Sequence, residues 1–74
     1  MRDFIIYTKE ACVHCVNAKK LMELKGYDYS EIIIGADITM EEFKERYPDV
    51  RSVPLIFSNK GRVGGFSDLK AYIA

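Results

Sequence analysis

The sequence has 74 residues with eleven basic and eleven acidic side chains, so its formal net charge at pH 7 is zero. This balance gives no electrostatic support for a nucleic-acid partner. No apolar run approaches the roughly 18 residues that span a bilayer, and the start of the chain lacks the pattern of a signal peptide. We therefore expect no nucleic-acid or membrane partner, a cytoplasmic location, and a single domain over residues 1–74.

The first half of the chain predicts a strand, a helix and a second strand. Residues 3–8 are β-branched and aromatic without alternation, so we expect a central strand that is buried on both faces. Residues 13–25 predict a helix, and Gly26 suits its left-handed end. Residues 27–34 predict a strand that pairs in parallel with the first through a right-handed crossover. The apolar positions at helical spacing are Cys15, Ala18, Leu21 and Met22.

A second helix is predicted by a strong local signal. Thr39 and Glu42 fit a capping box, in which each side chain bonds to the other residue's backbone N–H. Ile38, before the cap, is expected to pack on Phe43. The helix should run to the residue before Pro48, because proline disfavours helical backbone in the residue that precedes it.

The last third predicts a hairpin followed by a helix. Residues 53–57 read as a strand with Pro54 at its beginning, where a missing N–H is tolerated. Residues 58–61 have turn composition and lead into an antiparallel return strand. Residues 66–74 predict a final helix with Ser67 as its N-cap, so the expected order is β-α-β-α-β-β-α. The expected packing face of this helix is Leu69, Tyr72 and Ile73.

The two cysteines of the chain, Cys12 and Cys15, are three positions apart. On a helical segment one sulfur can attack a disulfide and the other can displace the product. A bridge between them would close too small a loop to stabilise the fold. Cys12 lies at the helix N-terminus, where backbone N–H groups favour a thiolate, and Lys9 adds positive charge. We therefore expect Cys12 to be the nucleophile and Cys15 the resolving thiol.

Metal binding is an alternative for a Cys-x-x-Cys pair. Tetrahedral zinc needs four protein ligands, and beyond Cys12, His14 and Cys15 the chain has no further cysteine or histidine. We expect no metal. An iron–sulfur cluster module, with a dimer sharing the cluster through Cys12 and an external thiol, stays open as an alternative. So does an interaction subunit with vestigial cysteines.

Three stretches of the chain resemble the glutaredoxin family in order and spacing: Tyr-Thr-Lys-x-x-Cys-x-x-Cys at residues 7–15, Arg-Ser-Val-Pro at residues 51–54, and Gly-Gly-Phe-Ser-Asp-Leu at residues 64–69. The chain is similar to a small dithiol glutaredoxin over essentially its whole length. The resemblance implies an α/β, thioredoxin-like fold with a four-stranded mixed sheet flanked by three helices. It also implies a monomeric, glutathione-dependent thiol–disulfide oxidoreductase that reduces protein disulfides or glutathione mixed disulfides, with ribonucleotide reductase as one client to consider.

The resemblance further implies a glutathione cradle. In the family the residue matching Pro54 is a cis-proline facing the cysteines, and the backbone at Val53 pairs with the peptide part of glutathione. Gly64 and Gly65 allow close backbone approach, and Ser67 with Asp68 opens a helix whose amides hold the γ-glutamyl carboxylate. Asp68 would then meet the glutathione ammonium. The simpler alternative is that Pro54 only begins an edge strand.

Lys9, Arg51 and His14 complete the implied site. Lys9 and Arg51 match positions that meet the glycyl carboxylate of glutathione, and the alternative for Arg51 is a solvated charge. His14 belongs to the pair between the cysteines, where the family most often has Pro-Tyr and this chain has Val-His. His14 would hydrogen-bond the thiolate or glutathione and make the redox potential pH-sensitive, or else have no measurable role.

The electron source is left open by two motifs that disagree. A Val-polar pair between the cysteines is similar to redoxins that serve ribonucleotide reductase and are reduced by thioredoxin reductase. Gly-Gly-Phe-Ser-Asp at residues 64–68 favours glutathione, because those redoxins typically have Ser-Gly-Phe-Arg-Pro there. Ser52 replaces the family's usual threonine, which is a mild change because the cradle uses backbone at that position.

Overall fold

The computed structural model describes residues 3–74, and the elements follow the order β-α-β-α-β-β-α. The predicted order is therefore confirmed, although individual strands begin or end one or two residues away from the predicted bounds. The strands are β1 (Phe4–Thr8), β2 (Tyr29–Ile33), β3 (Leu55–Ser58) and β4 (Gly61–Gly64), and the helices are α1 (Val13–Leu24), α2 (Met40–Arg46) and α3 (Phe66–Ile73).

The strands form one mixed sheet in the order β2-β1-β3-β4. β1 pairs in parallel with β2, with Phe4 opposite Tyr29, and antiparallel with β3, with Tyr7 opposite Leu55. β3 and β4 form the antiparallel hairpin. The first strand is thus central, as predicted, and the end of β1 delivers the chain to the cysteines from the middle of the sheet.

The larger core cluster lies between the sheet and helices α1 and α3. Alternate residues of β1, Phe4 and Ile6, point to this face, as the two-residue period of a strand requires. Leu69 anchors α3 in the same cluster and is completely buried. The same cluster also holds α1, the helix at whose N-terminus the cysteine pair lies. The remaining buried members of the cluster are Ala18, Met22 and Ile56.

The opposite face of the sheet carries a smaller cluster under α2, built on Tyr7, Ile34, Phe43 and Leu55. α2 has only seven residues, so it covers one end of the strands. Ile5, at the other end of β1, is 42% exposed. The prediction that β1 is buried on both faces is therefore wrong at Ile5, because the helix above that face is too short to reach it.

The ends of α1 and α2 follow their local sequence signals. Gly26 has a φ of 78° just after α1, which is the left-handed conformation expected there. In α2 the Thr39 hydroxyl accepts from the Glu42 N–H and the Glu42 carboxylate accepts from the Thr39 N–H, both at 3.0 Å. The predicted capping box is thus confirmed, and Ile38 packs against the cluster that contains Phe43. Among residues 3–74, no helix has the length and apolar character to cross a membrane.

The start of α3 differs from the prediction. Gly65, not Ser67, is the N-cap residue, and Ser67 lies within the first turn. The Asp68 carboxylate accepts a hydrogen bond from the Gly65 N–H at 3.0 Å, which closes the turn two residues earlier than a Ser67 cap would. The prediction of Ser67 as N-cap is therefore wrong.

Tyr72 forms the exposed edge of the predicted packing face of α3. Its ring packs edge-on against the buried Phe4, with centroids 6.0 Å apart. Its side chain is nevertheless 50% exposed, and its hydroxyl donates to the Ser58 Oγ at 3.1 Å across the rim of the sheet. The other apolar contacts of α3 with the core come from Phe66, Leu69 and Ile73.

Candidate active site

Cys12 occupies the junction between β1 and α1, as the N-cap residue of the helix. Its backbone is extended, with φ −109° and ψ 107°, and its Sγ accepts a hydrogen bond from the Cys15 N–H at 3.3 Å. Ala11, immediately before it, has a positive φ of 56°, a conformation that costs energy for a residue with a Cβ. The sharp turn and the donated N–H together fix the sulfur at the helix N-terminus.

The loop that precedes β3 contacts the sulfur of Cys12. The Cys12 thiol lies 3.7 Å from the Val53 carbonyl oxygen and donates to it. The peptide bond between Val53 and Pro54 is cis, as the family resemblance implies. Residues 41 positions apart in sequence are thereby brought together at the sulfur.

Cys15 has a different environment from Cys12. Its side chain is buried, with 2% of its surface exposed, whereas Cys12 is half-buried. Burial, together with its hydrogen bond to Cys12, raises the pKa of the Cys15 thiol from 9.0 to about 12. Cys15 is therefore a protonated, shielded thiol at neutral pH, while Cys12 is the sulfur that a substrate can reach.

Two shallow clefts meet at Val53, on the β3 side of the cysteines. The first has a volume of about 200 Å³ and brings together Lys9 and Arg51, two of the predicted site residues. Both side chains are exposed, so their charges face the solvent that a ligand would displace. Sequence reasoning missed the contribution of α2 to this cleft, since nothing in the chain order links α2 to the cysteines. The other lining residues are Met40, Phe43, Lys44, Val50, Ser52 and Val53.

The second cleft, of about 210 Å³, gathers the remaining predicted residues on the other side of Val53. The His14 ring stacks on the Phe66 ring, with centroids 6.2 Å apart and planes at 29°, and forms one wall. Phe66 was not predicted as a site residue, although it lies inside the Gly-Gly-Phe-Ser-Asp motif. The full lining is His14, Ser52, Val53, Pro54, Gly65, Phe66, Ser67 and Asp68.

The two glycines before α3 have different requirements. Gly64 has a φ of 120°, and a Cβ there would overlap the Asp68 carboxylate. At Gly65 an added Cβ would lie 3.7 Å from the Pro54 carbonyl oxygen, an ordinary contact. Glycine is therefore required at position 64, just before the cleft, and not at position 65, which lines it.

Comparison with known proteins identifies the family of the chain. The family model described as Glutaredoxin matches residues 4–63. This chain belongs to the glutaredoxin family. Glutaredoxin 3 of Escherichia coli K12 is 35% identical over 71 residues, which cover 96% of this chain and 86% of the relative. The hybrid peroxiredoxin hyPrx5 of Haemophilus influenzae is 36% identical over 69 residues, covering 93% of this chain but only 28% of that longer protein.

Solved glutaredoxin structures share the fold. Glutaredoxin 1 from Francisella tularensis, determined in complex with cacodylate, superposes with a TM-score of 0.80 at 28% identity, covering 99% of this chain and 93% of the other. A buckwheat glutaredoxin–glutathione complex gives a TM-score of 0.79 at 21% identity, covering 97% and 68%. The thioredoxin-like fold is thereby confirmed. Glutaredoxins are thiol–disulfide oxidoreductases, and this glutaredoxin has the cysteine pair that such chemistry uses.

A third cleft in this glutaredoxin lies on the β2 side of the cysteines. Lys19 and Glu31 form an ion pair of 2.9 Å there, next to the buried Thr8. Sequence reasoning missed this group, because its members come from three separate elements and form no local motif. Within residues 3–74, no three histidine, cysteine or acidic side chains gather as metal ligands.

Proposed function

We propose that residues 1–74 form one glutaredoxin domain that reduces protein disulfides and glutathione mixed disulfides at the expense of glutathione. The observation that carries the proposal is the position of the Cys12 thiol, 3.7 Å from Val53, where the two clefts meet. A thiol-bearing tripeptide bound across Val53 would present its central sulfur to Cys12. Its two ends would then lie in the two clefts.

The charges in the two clefts match the two ends of glutathione. The glycyl end carries a carboxylate alone, which suits the cations Lys9 and Arg51 of the first cleft. The γ-glutamyl end carries both a carboxylate and an ammonium. The N-terminus of α3 suits the carboxylate, and the Asp68 side chain suits the ammonium. This arrangement supports one orientation of the bound tripeptide.

Val53 and Pro54 support the proposal from the middle of the site. Val53 lines both clefts, and its carbonyl faces Cys12. In the proposed complex its backbone pairs with the cysteinyl part of glutathione as an added strand would. Ser67 lines the γ-glutamyl end, and His14 covers the edge of the same cleft. The buckwheat relative, determined as a glutathione complex, gives fold-level support for this ligand.

The proposed reaction is an exchange of disulfide bonds. The Cys12 thiolate attacks the glutathione sulfur of a mixed disulfide, the protein thiolate leaves with the bonding electron pair, and Cys12 becomes glutathionylated. A second glutathione thiolate then attacks that glutathione sulfur, which releases Cys12 and forms oxidised glutathione. For protein disulfides, the Cys12 thiolate attacks one client sulfur and the other client sulfur leaves as a thiolate; the Cys15 thiolate then attacks Cys12 and expels the second client thiolate. Reduction of the resulting Cys12–Cys15 disulfide consumes two glutathione molecules.

The proposed setting is the reducing cytoplasm, with the domain acting as a monomer and ribonucleotide reductase as one client. Support for this setting comes from the cysteine pair itself, because in that compartment such pairs are kept reduced and serve catalysis. The client proposal is tested by adding the reduced protein to oxidised ribonucleotide reductase and following deoxyribonucleotide formation.

The electron source decides between the proposal and its main alternative, a redoxin reduced by thioredoxin reductase. We expect turnover of a disulfide substrate with NADPH, glutathione reductase and glutathione, and little turnover with NADPH and thioredoxin reductase. Arg51→Ala should raise the KM for glutathione about three- to tenfold, the effect of losing roughly 1 kcal/mol of charge interaction. Lys60→Ala removes an exposed charge in the β3–β4 turn and serves as the matched control. Turnover with thioredoxin reductase alone would establish the redoxin function instead.

A further inference from the structure

The cleft on the β2 side of the cysteines contains charged groups that the proposed glutathione site does not use. It has a volume of about 200 Å³ and is lined by both Cys12 and Cys15. Lys19 and Glu31 also line it, from α1 and β2 respectively. β2 and β3 lie on opposite sides of β1. The cleft therefore approaches the cysteines from the β2 side, and Lys9 is the one lining residue that it shares with the first ligand cleft.

A hydrogen-bond network holds the charged pair in place. The Thr8 hydroxyl donates to Glu31 Oε2 at 2.6 Å, and the Lys19 ammonium donates to the same oxygen at 2.9 Å. Thr8 is 2% exposed, and the two charged side chains are 27% and 25% exposed. Burial opposes ionisation of Glu31, but the bonds from Thr8 and Lys19 outweigh it and lower the pKa of the carboxyl. The network is thus a fixed ion pair at neutral pH.

Lys19 is placed to act on Cys15. The two residues are four positions apart on α1, so their side chains lie on the same face of the helix, one turn apart. Cys15 must lose its proton before it can attack the mixed disulfide on Cys12. Burial and the hydrogen bond to Cys12 oppose this step, whereas a backbone hydrogen bond from Lys9 and the positive charge of Lys19 favour the anion. The ion pair to Glu31 keeps that charge beside the cleft instead of free in solvent.

We propose that Lys19, held by Glu31 and Thr8, is a positioning residue whose charge promotes the resolving step of Cys15. In that step Cys15 gives its proton to water in the cleft, and its thiolate attacks Cys12 Sγ. The Cys12–Cys15 disulfide forms, the bond from Cys12 to the substrate sulfur breaks, and the substrate leaves as a thiolate with the electron pair. The inference rests on the proposed roles of Cys12 and Cys15, but it does not require glutathione to be the electron donor.

The proposal predicts opposite effects for the two charged residues. Loss of the Lys19 charge removes the attraction for the Cys15 thiolate. Loss of the Glu31 charge removes the partner that offsets Lys19, so it should favour the thiolate, and glutamine keeps the oxygen that accepts from Lys19. A network that only supported the fold would make both substitutions act in the same direction.

The experiment uses 5,5′-dithiobis(2-nitrobenzoic acid), a small aromatic disulfide, with the reduced full chain in a stopped-flow instrument. Cys12 releases the first thionitrobenzoate, and Cys15 releases the second in a first-order phase. Lys19→Met should lower the population of the Cys15 thiolate. A tenfold loss of thiolate, partly offset by a roughly threefold gain in its nucleophilicity, would slow the second phase about threefold. The pH profile of that phase should shift to higher pH. Glu31→Gln should speed the second phase and shift its profile to lower pH.

Other charges near the cleft define the controls. Besides Cys15 itself and the Lys19–Glu31 pair, the titratable groups that line it are Cys12, Lys9 and Glu10, and all three are unchanged in these variants. Lys19→Arg keeps the positive charge and should restore the wild-type second phase. Lys20→Met removes the neighbouring exposed charge on α1 and should leave the ratio of the two phases unchanged.

Any one of three outcomes would overturn the inference. The first is a second phase and pH profile that are the same in Lys19→Met and the wild type. The second is a slower second phase in both Lys19→Met and Glu31→Gln, and the third is a Lys20→Met variant that behaves like Lys19→Met. Absence of the first phase in the wild-type protein would instead contradict the proposed role of Cys12. The same experiment therefore separates the two failures: the second phase tests the role of Lys19, and the first phase tests the proposed role of Cys12.

Discussion

Cys12 and Cys15 are close in sequence, yet the structure gives their sulfurs opposite environments. Cys12 is half-buried beside Val53, the residue at which two clefts meet, with an N–H donor on one side and the Val53 carbonyl on the other. Cys15 is buried one turn into α1. Cys12 is the N-cap residue that precedes α1, whereas Cys15 lies on the face of α1 that also buries Ala18 and Met22. The difference between the two sulfurs thus follows from their positions on the helix.

The raised pKa of Cys15 predicts a loss of stability in alkali. The folded protein binds the Cys15 thiol proton more tightly than the unfolded chain does. The contribution of this proton to the free energy of unfolding is therefore complete below pH 9 and is lost as the pH rises toward about 12. The free energy of unfolding, measured with urea from pH 8 to pH 10.5, should fall with pH. Tyr29, whose pKa is also raised to about 12, contributes in the same direction. The slope should be smaller in Cys15→Ala, and an equal slope would show that Cys15 is not the source.

Gly64 and Gly65 offer a matched test of the second cleft. Gly64→Ala forces a Cβ into a φ of 120° and against the Asp68 carboxylate, so it should cost about 1 to 3 kcal/mol of stability. Displacement of Asp68 should also raise the KM for glutathione. Gly65→Ala, with a more ordinary backbone and an unstrained contact, should cost less. The comparison fails if the two variants have equal unfolding free energies and equal KM values.

At the scale of elements, α2 depends on its N-terminal cap. It has seven residues and buries only Phe43 completely, so it has little packing to hold its first turn. Thr39→Ala should lower the unfolding free energy by about 1 kcal/mol, the usual loss for such a cap. Thr39→Ser keeps the hydroxyl and should retain most of this stabilisation. Urea denaturation measures both, and an unchanged midpoint in Thr39→Ala would show that the box does not contribute.

The elements also show which signals the sequence carries. The capping box of α2 and Gly26 after α1 were predictable, because each depends on residues a few positions apart. The start of α3 was misplaced, since the Asp68 side chain reaches back to Gly65 and caps the helix from inside. Exposure of Ile5 was missed because burial of a strand depends on the length of a distant helix, which strand composition does not report.

At the scale of the molecule, the candidate site is assembled by the order of the strands. The family motifs supplied the members of the site, but not their arrangement in two clefts that meet at Val53. The sheet order places β3 on one side of β1 and β2 on the other. The cysteines at the end of β1 are therefore flanked by the ligand clefts on one side and by the Lys19–Glu31 pair on the other. That pair was not predictable, because contact between α1 and β2 side chains follows only from the packed structure.

The measurement that tests the account most directly is the glutathione-dependent reduction of a glutathionylated peptide by the wild type, Cys12→Ser and Cys15→Ser, coupled to NADPH oxidation through glutathione reductase. In the proposed reaction Cys12 alone takes glutathione from the peptide, and free glutathione then releases it. We expect Cys12→Ser to fall to the uncatalysed rate and Cys15→Ser to keep turning over. Activity retained in Cys12→Ser would contradict the account.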